Sequence, residues 1–133
     1  MTIQVILDTN IIIFLSKGQF NLQAEIERLI LQKHEIVILS TCMNEFDYLI
    51  MKEPKMLKHQ KFAQKLLTTI KLIEFDPVDI KNTDMKIIEY AKLNSPNCVV
   101  VTHDRRLKKR LVTEGIPVIY YKSQSHLDLI GSF

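Results

Sequence analysis

Four acidic residues stand where an apolar run gives way to a helical pattern. Asp8 closes the run Val5-Ile6-Leu7, and Asp104 follows Val99-Val100-Val101-Thr102-His103. Glu45 lies about one helical turn beyond the apolar run ending at Leu39, and Asp84 begins the helix that feeds the run at 98–101. In open parallel α/β sheets ligands gather at the carboxyl ends of the strands, so all four acids are expected at one rim. Crowded carboxylates repel unless positive charge sits among them. Mg²⁺ or Mn²⁺ is the natural counter-charge, because hard cations take oxygen ligands and often keep several waters.

Each acid also has a plainer use. Asp8, Asp84 and Asp104 all suit helix N-caps, worth typically ~1 kcal/mol each with no chemistry attached. A helical Glu such as Glu45 is usually solvated, and Asp47 is its nearby rival. Asp76 or Asp79 could serve in place of Asp84. Independent caps, however, have no reason to share a rim.

The elements that must position these acids follow from hydrophobic periodicity. Strands are expected at 2–7, 35–39, 72–75, 98–101 and 116–121. Helices are expected from Ile12 to a break at Gly18, over 22–32, from a cap at Ser40 or Thr41 to about Lys52, and over 55–71. Two more should run from Asn82 through Leu93 and from Arg105 to Gly115. The residues after 121 read as a short polar tail containing Leu127, Leu129 and Ile130. Crossovers long enough for helices make the five-stranded sheet mostly parallel. No repeat or linker divides the chain, so residues 1–133 are expected to form one α/β domain.

Composition narrows the function classes. Of the 133 residues 47% are hydrophobic, and the net charge is +3. Two cysteines, Cys42 and Cys98, are too few for a disulfide framework or a four-cysteine zinc ribbon. They are expected to be reduced packing residues of a cytoplasmic protein. No apolar run reaches the roughly 18 residues of a membrane span. The basic excess is concentrated beside the last acid, in Arg105, Arg106, Lys108, Lys109 and Arg110, which are placed to hold phosphates. Lys58, Lys61 and Lys65, with Lys52, Lys55 and His59 close by, are first of all a solvated face. Tyr120, Tyr121 and Phe46 could stack on bases, but core packing comes first for each.

Leu7-Asp8-Thr9-Asn10 resembles the opening signature of the PIN domains, which are metal-dependent ribonucleases. Glu45 falls where that family has its second acid, and Asp84 with Ile87, Ile88 and Ala91 resembles its third-acid helix. Thr102-His103-Asp104-Arg105 is similar to its last block. The resemblance covers nearly the whole chain in order, with two departures. His103 stands in place of the usual Asn, and Met85 stands where many relatives have a second acid. It implies a three-layer α/β/α fold and hydrolysis of RNA to 5′-phosphate and 3′-hydroxyl ends. Asp8 and Asp104 would be the main Mg²⁺ or Mn²⁺ ligands, with Asp84 and Glu45 completing the cage and Asn10 and Thr102 supporting it. The run Gly115-Ile116-Pro117-Val118-Ile119-Tyr120-Tyr121 and the tail around His126 look like the archaeal branch related to the ribosomal-RNA-processing nuclease of the small-subunit processome. The toxin ribonucleases of toxin–antitoxin pairs share the same acids. Expected partners are accordingly RNA, such as a precursor ribosomal RNA, an antitoxin or pre-ribosomal protein, and a second copy of the chain.

Two other classes compete. A phosphoacceptor signalling domain also places Asp, Thr and Lys at strand ends, here Asp8, Thr102 and Lys122, but it needs paired acids after the first strand. A PIN domain that binds RNA without cutting it keeps the fold and drops the chemistry.

Overall fold

The structure, a computed structural model, describes residues 2–17, 21–123 and 126–133. The break expected at Gly18 lies outside them. Six strands form one sheet in the order β3-β2-β1-β4-β5-β6. They are β1 (Ile3–Leu7), β2 (His34–Leu39), β3 (Lys71–Ile73), β4 (Cys98–Thr102), β5 (Val118–Ser123) and β6 (His126–Ile130). All neighbours pair in parallel except β5 and β6. The helices are α1 (Thr9–Ser16), α2 (Leu22–Leu29), α3 (Ser40–Lys52), α4 (Gln60–Leu66), α5 (Thr83–Asn94) and α6 (Arg105–Thr113).

The central strands are apolar on both faces, as a sheet covered on both sides requires. Val5 and Leu7 of β1, with Val99 and Val101 of β4, pack against Leu22 and Ile26 of α2. Ile6 and Val100 face the other way, onto Phe46 of α3, Ile87 of α5 and Leu107 of α6. The result is the three-layer α/β/α arrangement. Cys42 and Cys98 are free thiols buried in the second of these layers.

Three local expectations are corrected. Among the described residues the sheet has six strands rather than five, because the tail read as polar contains β6. Its only deeply buried residue is Leu127, so the period-2 apolar signal is faint. It is held instead by polar groups of α2: the Leu127 N–H donates to Glu25 Oε1 at 2.8 Å, and Arg28 donates to the Leu127 carbonyl at 2.6 Å. The helix expected over 55–71 is a 3₁₀ segment, Pro54–His59, followed by the short α4, since Pro54 at the start lacks the N–H and favours a tight first turn. Finally, neither Ser40 nor Thr41 caps α3. Leu39 occupies the cap position, and Ser40 Oγ accepts from the Phe75 N–H at 2.8 Å. That bond ties the exit of β2 to the segment after β3.

The end of α6 follows its sequence. Gly115 adopts φ +76°, donates to the Val112 carbonyl at 3.0 Å, and turns the chain toward β5. Only glycine takes that conformation without strain.

Candidate active site

Strand order reverses direction between β1 and β4, and a parallel sheet opens a crevice at such a point. Asp8 leaves β1 there and Thr102 ends β4. The Asp8 N–H continues the ladder to the Val101 carbonyl at 3.0 Å. Asp8 Oδ1 accepts from the Thr9 N–H at 2.7 Å, and Oδ2 accepts the Thr102 hydroxyl at 2.8 Å. Thr102 Oγ1 in turn accepts from the Asp104 N–H at 3.0 Å. Asp104 Oδ1 accepts from the N–H groups of Arg106 (2.8 Å) and Leu107 (3.2 Å), capping α6. Asp8 and Asp104 are therefore helix caps after all, and capping is what fixes their carboxylates at the rim.

Asp8, Asn10, Glu45, Asp84 and Asp104 line one pocket of about 280 Å³, closed on its apolar side by Ile13 and Leu49. Four separate stretches of chain meet there, and each supplies one of the four acids. Asp84 is released for this position because Asn82 caps α5, accepting from the Met85 N–H at 2.8 Å. Glu45 lines the pocket, while Asp47 is exposed and does not. Asp76 accepts from Asn44 at 2.8 Å and pairs with Lys86, outside the pocket, and Asp79 is exposed. Asn10 Oδ1 accepts from the His103 N–H at 3.4 Å, bracing the loop that carries Asp104.

The electrostatics match a site short of positive charge. Burial pushes the Asp8 carboxyl up to about 7, against the lowering effect of its bonds from Thr102 and Thr9; Asp84 and Glu45 push it further in the same direction. Asp84 is likewise raised, first by burial and then by Asp104 and Glu45. Arg110 and Arg106 partly oppose this shift. These two arginines of α6 thus act on the α5 side of the helix. Arg105 and Lys108 line a second pocket, beside β5, with His103, Tyr120 and Tyr121. Lys109 borders neither pocket. The basic run thus splits into faces, because Leu107 and Leu111 are buried.

Other candidates lie elsewhere. Phe46 is buried in the core. His59 is buried and hydrogen-bonds Ser16, with burial holding its imidazole below the usual range, so it is no part of a basic surface. Lys58, Lys61 and Lys65 are exposed and do not line the acidic pocket.

The family model of the PIN like domain matches residues 5–124. The chain belongs to that family. It is 31% identical over 128 residues to Ribonuclease VapC4 of Methanocaldococcus jannaschii, covering 96% of this chain and 97% of the relative. Among solved structures, the PIN domain endonuclease Utp24 superposes with a TM-score of 0.75 at 19% identity, over 95% of this chain and 90% of that one. VapBC2 from Rickettsia felis, bound to a DNA fragment from the promoter, gives 0.66 at 19% identity, over 90% and 100%. At that identity the structural likenesses establish the fold.

PIN nucleases generally use divalent cations. Among the described residues, no three of His, Cys, Asp or Glu are drawn closely enough together to hold an ion unaided. The donor set nevertheless suits a hard, hydrated cation. Every polar group toward the pocket is an oxygen donor or amide, and Mg²⁺ is commonly held by one or two carboxylates with waters filling the other positions. Asp104 Oδ1 takes both capping bonds, so Oδ2 is left for such a role. No helix among the described residues is long and apolar enough to cross a membrane.

Proposed function

We propose that this PIN-like domain is a divalent-metal-dependent endoribonuclease. Asp8 and Asp104 are the main ligands; Asp84 and Glu45 complete the cage directly or through water, and Asn10 and Thr102 brace it. The observation that supports this most is the convergence of four acids from separate elements on one pocket, where buried Asp8 lacks a counter-charge.

A bound Mg²⁺ or Mn²⁺ supplies Lewis acidity, lowering the pKa of a water and offsetting phosphate charge. The protein's part is positioning. Thr102 fixes the Asp8 carboxylate and, through the Asp104 N–H, the loop carrying the second ligand. Arg105 and Lys108 lie beside Asp104 and attract the phosphate backbone. In the reaction, water oxygen bonds to phosphorus in line, the bond from phosphorus to the 3′ oxygen breaks, and that oxygen takes up a proton. The products are a 5′-phosphate and a 3′-hydroxyl. Incubating RNA with the protein and Mn²⁺, then identifying the new ends, tests this reading. Cyclic 2′,3′-phosphate ends would overturn it.

Two biological settings rest on different observations. The run from Gly115 to Tyr121 supports ribosomal-RNA processing within a pre-ribosomal particle. The 31% identity to Ribonuclease VapC4 over 96% of the chain supports a toxin held in check by an antitoxin. Mapping 5′-phosphate ends in cells expressing the chain separates them: cuts in precursor ribosomal RNA favour the first, growth arrest relieved by a neighbouring gene the second.

A further inference from the structure

Next to the acidic pocket is a second one, of about 390 Å³, and the two share Asp104 as a wall. Its lining differs in kind from the first. Asp104 forms the shared side with Thr102 beside it, Arg105, Lys108 and Lys122 supply cations, and His103, Tyr120 and Tyr121 supply rings. The His103 ring is exposed, yet it does not hang free. It stacks on Phe14 with centroids 4.7 Å apart and planes 10° apart, and Tyr121 meets both rings edge-on at 5.0 and 5.4 Å. Tyr120 is fixed similarly, with Lys108 Nζ 3.6 Å from its ring centre.

Stacking on a base is sequence-tolerant, and it gains most when the platform ring is already held in place. Arg105 and Lys108 make no ion pair among the described residues, whereas Lys122 is bound to Asp128 at 3.1 Å. Two cations without a carboxylate partner, one of them resting on the Tyr120 ring, therefore flank a fixed, exposed ring directly beside the proposed cleavage site. We propose that this second pocket binds one unpaired nucleotide adjacent to the scissile phosphate, its base stacked on His103 and its phosphate held by Arg105 and Lys108. The substrate is accordingly single-stranded RNA or a loop, because a base inside a duplex cannot reach the ring. The inference rests on the nuclease reading for its orientation but makes a separate prediction about binding.

The test uses metal-free protein, so that binding is read without cleavage, and a fluorescein-labelled single-stranded octaribonucleotide. The same strand annealed to its complement and a strand of abasic sugar phosphates serve as comparisons. Titration should shift the His103 ring-proton NMR signals upfield, by the ring current of a stacked base. His103→Ala should weaken binding of the octamer about tenfold, while leaving the abasic strand unaffected. Lys108→Gln should weaken both strands and reduce the salt dependence by about one phosphate contact. Unmoved His103 signals, equal binding of octamer and duplex, or an equal loss for octamer and abasic strand in His103→Ala would each overturn the subsite. If wild type cleaves RNA with metal yet shows none of these effects, the subsite fails and the nuclease reading stands. If the stacking signature appears and no metal supports cleavage, the reverse holds.

Discussion

Thr102 donates its hydroxyl to one oxygen of Asp8 at 2.8 Å and, through the same oxygen atom, accepts the N–H of Asp104 at 3.0 Å. One buried side chain thus couples the acid after β1 to the acid after β4. Replacing it by Val keeps the volume but removes both bonds. The change leaves the Asp104 N–H without its acceptor, at a cost of about 1–2 kcal/mol in stability. RNA cleavage should fall at least tenfold in kcat, with little change in KM, and Thr102→Ser should recover most of it. Steady-state kinetics beside thermal melts would show this; a Val variant with full kcat would mean that the coupling is incidental.

The raised Asp8 carboxyl predicts how stability follows pH. Its ordinary value is 3.8 and its folded value about 7. The folded state therefore holds the proton more tightly than the unfolded chain. Stability from this group is present in acid and is lost as pH rises from about 4 to 7, levelling above that. Asp84 is shifted in the same direction. Metal-free protein should lose Tm across this window, and Asp8→Asn should flatten the loss and melt higher than wild type at pH 8. For a chain of this length each kcal/mol corresponds to about 3–5 °C. Differential scanning calorimetry in chelator checks the slope.

Added Mg²⁺ or Mn²⁺ should reverse that loss. A ligand that binds only the folded state stabilises it in proportion to its saturation, and these carboxylates must be ionised to act as ligands. The rise in Tm on adding metal should therefore grow from pH 5 to pH 7 and be absent in Asp8→Asn. A metal-induced rise of equal size in that variant would place the ion elsewhere.

Glu25 and Arg28 carry a prediction that concerns the fold alone. They bind the N–H and carbonyl of Leu127 and so attach β6 to α2. Glu25→Ala should cost about 1–2 kcal/mol, since it leaves the buried Leu127 N–H without its acceptor. Hydrogen exchange should speed up in β6 while β1 and β4 remain protected. Equal acceleration in the central strands would show that the edge is not a separate unit.

How much of this was legible in the sequence depended on whether the cause was local. Asp8 and Asp104 stood out because apolar strands end abruptly at polar residues, and that same abruptness makes them caps. Asp84 was harder, since Asn82, Thr83 and Asp84 all offer cap chemistry; only the Asn82 bond decides which carboxylate is released. The strand β6 was missed because its attachment comes from α2, about 100 residues away in sequence, and its own apolar pattern is that of a half-exposed edge. The basic run after Asp104 was visible as charge, but its division into faces follows from the burial of Leu107 and Leu111. The pile of Phe14, His103 and Tyr121 joins three distant segments and left no mark in the spacing.

The most direct test of the central claim is cleavage of end-labelled RNA by wild type, Asp8→Asn and Asp104→Asn, with and without Mn²⁺ or Mg²⁺. Asn retains an oxygen for the capping bonds, so both variants should fold, which circular dichroism confirms independently. Wild type should cut only with metal, and each variant should lose at least a hundredfold in rate. Cleavage persisting at the wild-type rate in either folded variant would contradict that claim.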